Sequence, residues 1–180
     1  RPYISTAKLS KNNAKILTFQ SCSKTYAMTG WRIGYTAGDR DVIKAMGKLQ
    51  GQSTSCPTSI SQMAAIEALT GDQVAVGRMR EEFKKRRNYI VNRLNHMDGV
   101  SCPLPGGAFY VFPDFSAYIK QGSRITCSND LSTYLLEEKS VVTVSGAAFG
   151  GEGHVRFSYA ASEDDLSRAM DLLADTLNEI

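Results

Sequence analysis

No apolar run in this 180-residue chain approaches the roughly 20 residues that a bilayer-spanning helix needs, so no membrane partner is expected. No basic and apolar leader opens it either: Arg1-Pro2-Tyr3 runs into polar sequence, and no signal peptide is read there. The first residue is not Met, which points to a fragment or a processed product of a longer protein. Cysteine is sparse, four residues in all, and Cys22, Cys56, Cys102 and Cys127 form no CxxC pair. That argues against a disulfide framework or a zinc site and for packing residues in a reducing compartment, the cytoplasm. There are only two histidines, His96 and His154, in unrelated contexts, so no metal site is expected. Charge of one sign is scarce too. Lys+Arg is 21 against Asp+Glu 18, a net +3 that gives no ground for a nucleic-acid partner. The run Lys84-Lys-Arg-Arg87 lies in a long amphipathic segment without interleaved aromatics and reads as a solvated helix face. What remains is 42% hydrophobic and 22% charged, the balance of a globular protein.

Periodicity divides the chain into short elements. Residues 15–20 (KILTFQ) and 32–37 (RIGYTA) read as strands around a small, polar, Gly-punctuated loop at 21–30. Asp39 and Asp41 cap a helix through about Leu49, followed by a polar loop over 51–57. Ser59 with Gln62 reads as a capping box for a helix that stops at Gly71. A long helix follows over about 72–96. Val76, Met79, Phe83, Ile90, Leu94 and Met97 form its apolar stripe, and Glu81–Lys85 and Glu82–Arg86 are its i,i+4 pairs. Beyond the turn cluster at 103–107, strands are expected at 108–112, 141–144 and 154–159. Helices are expected at 131–139, behind Asp130, and after Ser162, where Leu166, Met170, Leu173 and Leu177 share a face. Residues 147–153 read as a Gly-rich loop. A domain boundary is expected inside the long helix, separating residues 1–75 from 76–180.

The stretch Ser21-Cys-Ser-Lys-Thr-Tyr-Ala-Met-Thr-Gly-Trp-Arg-Ile-Gly34 carries the chemistry. Lys24 follows a strand among small hydroxyl residues, where desolvation favours the neutral, nucleophilic amine. Ser21 and Ser23 offer two hydroxyl donors, and Arg32 offers a guanidinium fork beyond a glycine turn. Those are groups that grip a phosphate. An amine beside such a cradle suits a phosphorylated aldehyde such as pyridoxal phosphate. On composition alone a solvated turn remains the alternative. A Walker A loop is excluded because GxxxxGK[ST] does not occur, and Gly146–Gly153 precedes a strand, unlike a dinucleotide-binding turn.

This segment resembles the lysine signature of class I/II, fold type I, pyridoxal-phosphate aminotransferases, and looks most like their aspartate aminotransferase group. Ser55-Cys-Pro-Thr-Ser-Ile-Ser-Gln-Met-Ala-Ala65, Pro105-Gly-Gly-Ala-Phe-Tyr110 and Phe149-Gly-Gly-Glu-Gly-His-Val-Arg-Phe-Ser-Tyr-Ala160 resemble the family's later segments. The resemblance implies an α/β fold: the C-terminal part of the large cofactor-binding domain over 1–75, then the small α+β domain over 76–180. It implies pyridoxal 5'-phosphate as cofactor, Lys24 as the catalytic Schiff-base lysine, Ser21, Ser23 and Arg32 at the cofactor phosphate, and Arg156 on the substrate carboxylate. It implies amino acid and 2-oxo acid substrates, aspartate first among donors, and a homodimer. The family's Asp at the pyridine nitrogen and its Tyr at the ring hydroxyl belong upstream of Arg1. The 180 residues alone are therefore expected to be nearly inactive. The alternatives are an inert fragment, or a decarboxylase, lyase or synthase on the same fold.

Overall fold

The computed structural model describes residues 4–9 and 16–180. Lys15, the first residue of the first expected strand, lies outside the described residues, as do Arg1, Pro2 and Tyr3. The chain forms two compact units, Arg1–Arg78 and Met79–Ile180.

The first unit runs α1 (Thr6–Leu9), β1 (Thr18–Ser21), α2 (Cys22–Thr25), a 3-10 turn (Thr29–Trp31), β2 (Gly34–Ala37), α3 (Arg40–Ser53) and α4 (Ser59–Thr70). The loop expected over 21–30 is thus largely helical turn. β1 and β2 pair antiparallel, with Ser21 opposite Gly34 and Thr18 opposite Ala37. A Cβ on Gly34 would lie 2.6 Å from the Gln20 carbonyl oxygen, so the close approach of the two strands needs glycine there. Asp39 caps α3 as expected, its Oδ1 accepting from the N–H groups of Asp41 and Val42. The helix continues to Ser53, past its expected end near Leu49. The cap of α4 differs from expectation. Thr58, one residue earlier than Ser59, accepts from the Ser61 N–H, and Gln62 donates to the Pro57 carbonyl rather than closing a box. Extended backbone at Thr58 (φ −57°, ψ 142°) aims its hydroxyl at the open helix end. The core is small: Cys22, Met28 and Ala65, with Tyr26, Ile33, Ala64 and Ala68 against them. Phe19, Leu49, Ile60, Met63 and Ile66 are exposed.

α5 (Val74–Asn95) starts in the first unit and ends in the second. Asp72 accepts from the Val74 N–H at its start. Of its two expected pairs, Glu82–Arg86 forms, with Lys85 also on Glu82, whereas Glu81 takes Arg80 and Lys84 instead of Lys85. The basic run is only partly a solvated face. Arg86 donates to the Ala161 carbonyl at 2.6 Å and Arg87 to the Pro105 carbonyl at 3.1 Å.

The second unit adds β3 (Tyr110–Val111), α6 (Ser128–Lys139), β4 (Val144–Ser145), a 3-10 turn (Gly146–Phe149), β5 (Val155–Ser158) and α7 (Glu163–Glu179). The strands form an antiparallel sheet of order β3-β5-β4. They are shorter than expected for local reasons. Ala108 has φ 63° at one end of β3, and Pro113 lacks an N–H beyond the other. Before β4, the Val141 amide closes the end of α6 on the Leu135 carbonyl, behind Ser140 at φ 55°. Asp130 does not precede α6 but sits in its first turn, accepting from the Thr126 N–H and hydroxyl. Ile90 and Leu94 of α5, Leu131 and Leu135 of α6, Val155 and Phe157 of β5, and the expected face of α7 make the core. Tyr159 is buried, its hydroxyl donating to the Ala108 carbonyl at 2.8 Å.

Ser162 caps α7 as read from the sequence, accepting from the Asp165 N–H at 3.1 Å. Ser162→Ala is expected to cost about 1 kcal/mol in urea denaturation, because one helix-end donor loses its partner.

The four thiols are unequal. All are free, Cys22 and Cys102 are buried, and burial pushes the Cys102 thiol up to about 11. Cys56 is exposed, so it is not the packing residue expected. A thiol reagent at neutral pH is therefore expected to modify Cys56 within minutes. Cys22 should react only as the first unit opens, and Cys102 only as the second does, each read by peptide mass along a denaturant series.

Candidate active site

The lysine segment is folded onto itself by its own backbone. Ser21 is the last residue of β1 and the cap of α2; its Oγ accepts from the Ser23 N–H at 3.1 Å. The Ser21 hydroxyl hydrogen remains available to donate. Lys24 is the third residue of α2. Cys22 points into the core on the same turn, so helical rather than strand geometry separates the two side chains. Lys24 is exposed, and the buried setting expected of it is not supplied by the described residues.

The chain then turns back. Ala27 adopts φ 54°, and the 3-10 turn delivers Arg32 at φ 52°. Both are left-handed conformations that cost a non-glycine residue on the order of 1 kcal/mol. Thr29 ties the two arms: its hydroxyl donates to the Ser23 carbonyl at 3.1 Å, and its carbonyl accepts from Arg32 Nη1 at 2.8 Å. The Cys22 N–H donates to the Ile33 carbonyl, and the Ser61 hydroxyl to the Trp31 carbonyl. Ser21, Ser23, Lys24 and Arg32 thus belong to one reversal of the chain. Arg32 keeps N–H donors beyond the one given to Thr29, and among the described residues no carboxylate pairs with it. Two hydroxyls, an amine and a guanidinium in one turn are a donor set that fits a phosphorylated aldehyde. Sequence reasoning missed Thr29, whose hydroxyl gave no signal apart from its place between the lysine and the arginine.

Arg156 belongs to the second unit. It is on β5, half-buried, while Val155 and Phe157 on either side are buried, so the expected alternation holds. Its guanidinium carbon lies 4.3 Å from the Tyr110 ring centre and 4.6 Å from that of Phe149. The loop before it is anchored by Glu152, whose Oε1 accepts from the Ser128 N–H at the start of α6 at 2.6 Å. That bond holds the Glu152 carboxyl below the usual carboxylate range. The buried Ser128 and Ser145 hydroxyls bond to each other at 2.8 Å behind it. Among the described residues no cluster of three His, Cys, Asp or Glu side chains is placed to hold a metal ion.

Residues 3–173 match the family described as aminotransferase class I and II, and the chain belongs to that family. It is 46% identical over 164 residues to an aspartate aminotransferase of Rhizobium meliloti (strain 1021), covering 89% of this chain and 40% of that protein. To an aspartate/prephenate aminotransferase of Cereibacter sphaeroides it is 48% identical over 159 residues, covering 86% and 40%. Among solved structures, the aspartate aminotransferase from Rhizobium meliloti superposes with a TM-score of 0.90 at 43% identity, over 98% of this chain and 45% of that one. The alanine aminotransferase from Pyrococcus furiosus gives 0.87 at 31%, over 99% and 46%. The chain therefore spans about two fifths of the curated relatives' length. Its mixed helix and sheet is part of a fold type I aminotransferase, as the sequence led us to expect.

Proposed function

We propose that this chain is the C-terminal part of a pyridoxal-phosphate-dependent aminotransferase. The protein moves an amino group from an amino acid, aspartate first among donors, to a 2-oxo acid. Residues 1–75 are the tail of the cofactor-binding domain and residues 76–180 the small domain. The protein works as a homodimer in the cytoplasm. The observation that carries the reading is the reversal that gathers Ser21, Ser23, Lys24 and Arg32, in a chain that belongs to the aminotransferase family. The names of the most similar relatives support aspartate as donor, and no observation favours a decarboxylase, lyase or synthase.

When bound, pyridoxal phosphate supplies an aldehyde and an electron-withdrawing ring. Ser21 and Ser23 donate hydroxyl hydrogens to its phosphate. Arg32 adds the N–H donors that Thr29 leaves unused, a charge-assisted contact worth more than a neutral one. Thr29 keeps the two arms of this cradle in register. Lys24 gives the amine that holds the aldehyde and afterwards carries the proton to and from the substrate Cα as general base and acid. Arg156 clamps the substrate carboxylate in the plane of its guanidinium.

The test is borohydride reduction of the 180-residue chain with pyridoxal phosphate, followed by peptide mapping. A pyridoxyl label on Lys24 is expected. Labelling spread over other lysines while Lys24 stays unmodified overturns the assignment.

A further inference from the structure

We infer that Tyr110 and Phe149 are positioning residues for Arg156: their rings fix the plane of its guanidinium, so that its N–H edge meets a carboxylate without first being ordered. The inference rests on the reading of Arg156 as the carboxylate-binding residue and goes beyond it.

Register produces the arrangement. Tyr110 pairs with Ser158 across β3 and β5, which puts Arg156 one diagonal step away on the same face, within reach of a long side chain. Phe149 ends the 3-10 turn that follows β4, and β4 pairs Val144 with Arg156. Phe149 is itself held edge-on by Phe112, with ring centres 6.0 Å apart at 90°, and Phe112 stacks on His154 at 4.9 Å. One aromatic face of the sheet therefore runs from Tyr110 to His154 around a single cation.

Arg156 makes no hydrogen bond or ion pair among the described residues, although Arg80, Arg86, Arg93, Arg124 and Arg168 all hold carboxylates. A guanidinium over a ring face keeps its in-plane donors free while losing torsional freedom. An arginine kept only for packing needs no such restraint, whereas one that must present a fork to a planar anion gains from it, because the ordering cost is met before binding. The ligand class is a carboxylate, recognised through two parallel N–H to oxygen bonds.

The test uses the ¹⁵N-labelled 180-residue chain and sodium maleate as the carboxylate probe. The Arg156 Nε–H cross-peak is assigned by its loss in Arg156→Lys. It is expected upfield of the chain's other arginines, from the ring currents, and to move on maleate titration. Tyr110→Leu and Phe149→Leu should each return the peak toward the exposed-arginine position and raise the titration midpoint about threefold. Tyr110→Phe and Phe149→Tyr keep a ring and should keep both properties. The inference is overturned if the leucine variants leave peak and midpoint unchanged, if they shift the peak but not the midpoint, or if the ring-retaining variants lose as much as the leucine ones. An Arg156 peak that lies upfield yet ignores maleate in the parent chain overturns the carboxylate reading itself, and the positioning role with it.

Discussion

Lys24→Ala, in a protein that carries this segment at the relatives' full length, is expected to lower amino-group transfer by on the order of 10³-fold or more. Proton transfer by a positioned side chain alone accounts for 10²–10⁴, and under the proposed function the same change also removes the amine that would hold the cofactor. Lys24→Arg should lose as much, because a guanidinium keeps the charge but is neither a nucleophile nor a base at neutral pH. Thermal midpoints of both variants should stay near the parent's, since Lys24 is exposed on a four-residue turn. Initial rates with aspartate and a 2-oxo acid, together with differential scanning fluorimetry, check both halves. Activity within tenfold of the parent would remove Lys24 from the chemistry.

Gly146→Ala should be the most damaging small change in the second unit. A Cβ there would sit 2.1 Å from the Gly151 carbonyl oxygen and 2.3 Å from that of His154, both rigid backbone. The Gly146 N–H to His154 and Gly151 N–H to Gly146 bonds that close the loop before Arg156 would have to open. The expected cost is about 3 kcal/mol, the upper range for overpacking, seen as a lower urea midpoint for the second unit. Gly106→Ala is the matched control: nothing lies within 4 Å of its added Cβ, and a change below about 0.5 kcal/mol is expected. Phe149 lies between Gly146 and Gly151 in sequence, so if Arg156 binds a carboxylate as proposed, Gly146→Ala should also degrade that binding.

The long-period features were legible in the sequence. The stripe and cap of α7, the inner face of α5 and the alternation around Arg156 appear as read, because each rests on several residues repeating one spacing. Features decided by one residue were not. The cap of α4 moved from Ser59 to Thr58, and Glu81 chose Lys84 over Lys85, since neighbouring donors differ by less than tertiary context supplies. Strand lengths were overestimated because Ala108 and Ser140 adopt left-handed backbone that no side-chain pattern announces. At the candidate site, the sequence names Ser21, Ser23, Lys24 and Arg32, which the fold gathers into one reversal, but not the Thr29 clasp that ties it. The rings on Arg156 went unseen because they depend on a pairing register, Tyr110 to Ser158, that links positions 48 apart in the chain.

The exposed Cys56 has a practical consequence at the bench. Left in air without reductant, two molecules will cross-link through that sulfur, and a non-reducing gel will then show a covalent band at twice the mass. Sedimentation or light scattering meant to weigh the native assembly should be run with a phosphine reductant or on Cys56→Ser, so that an oxidation artefact is not counted as a subunit interface.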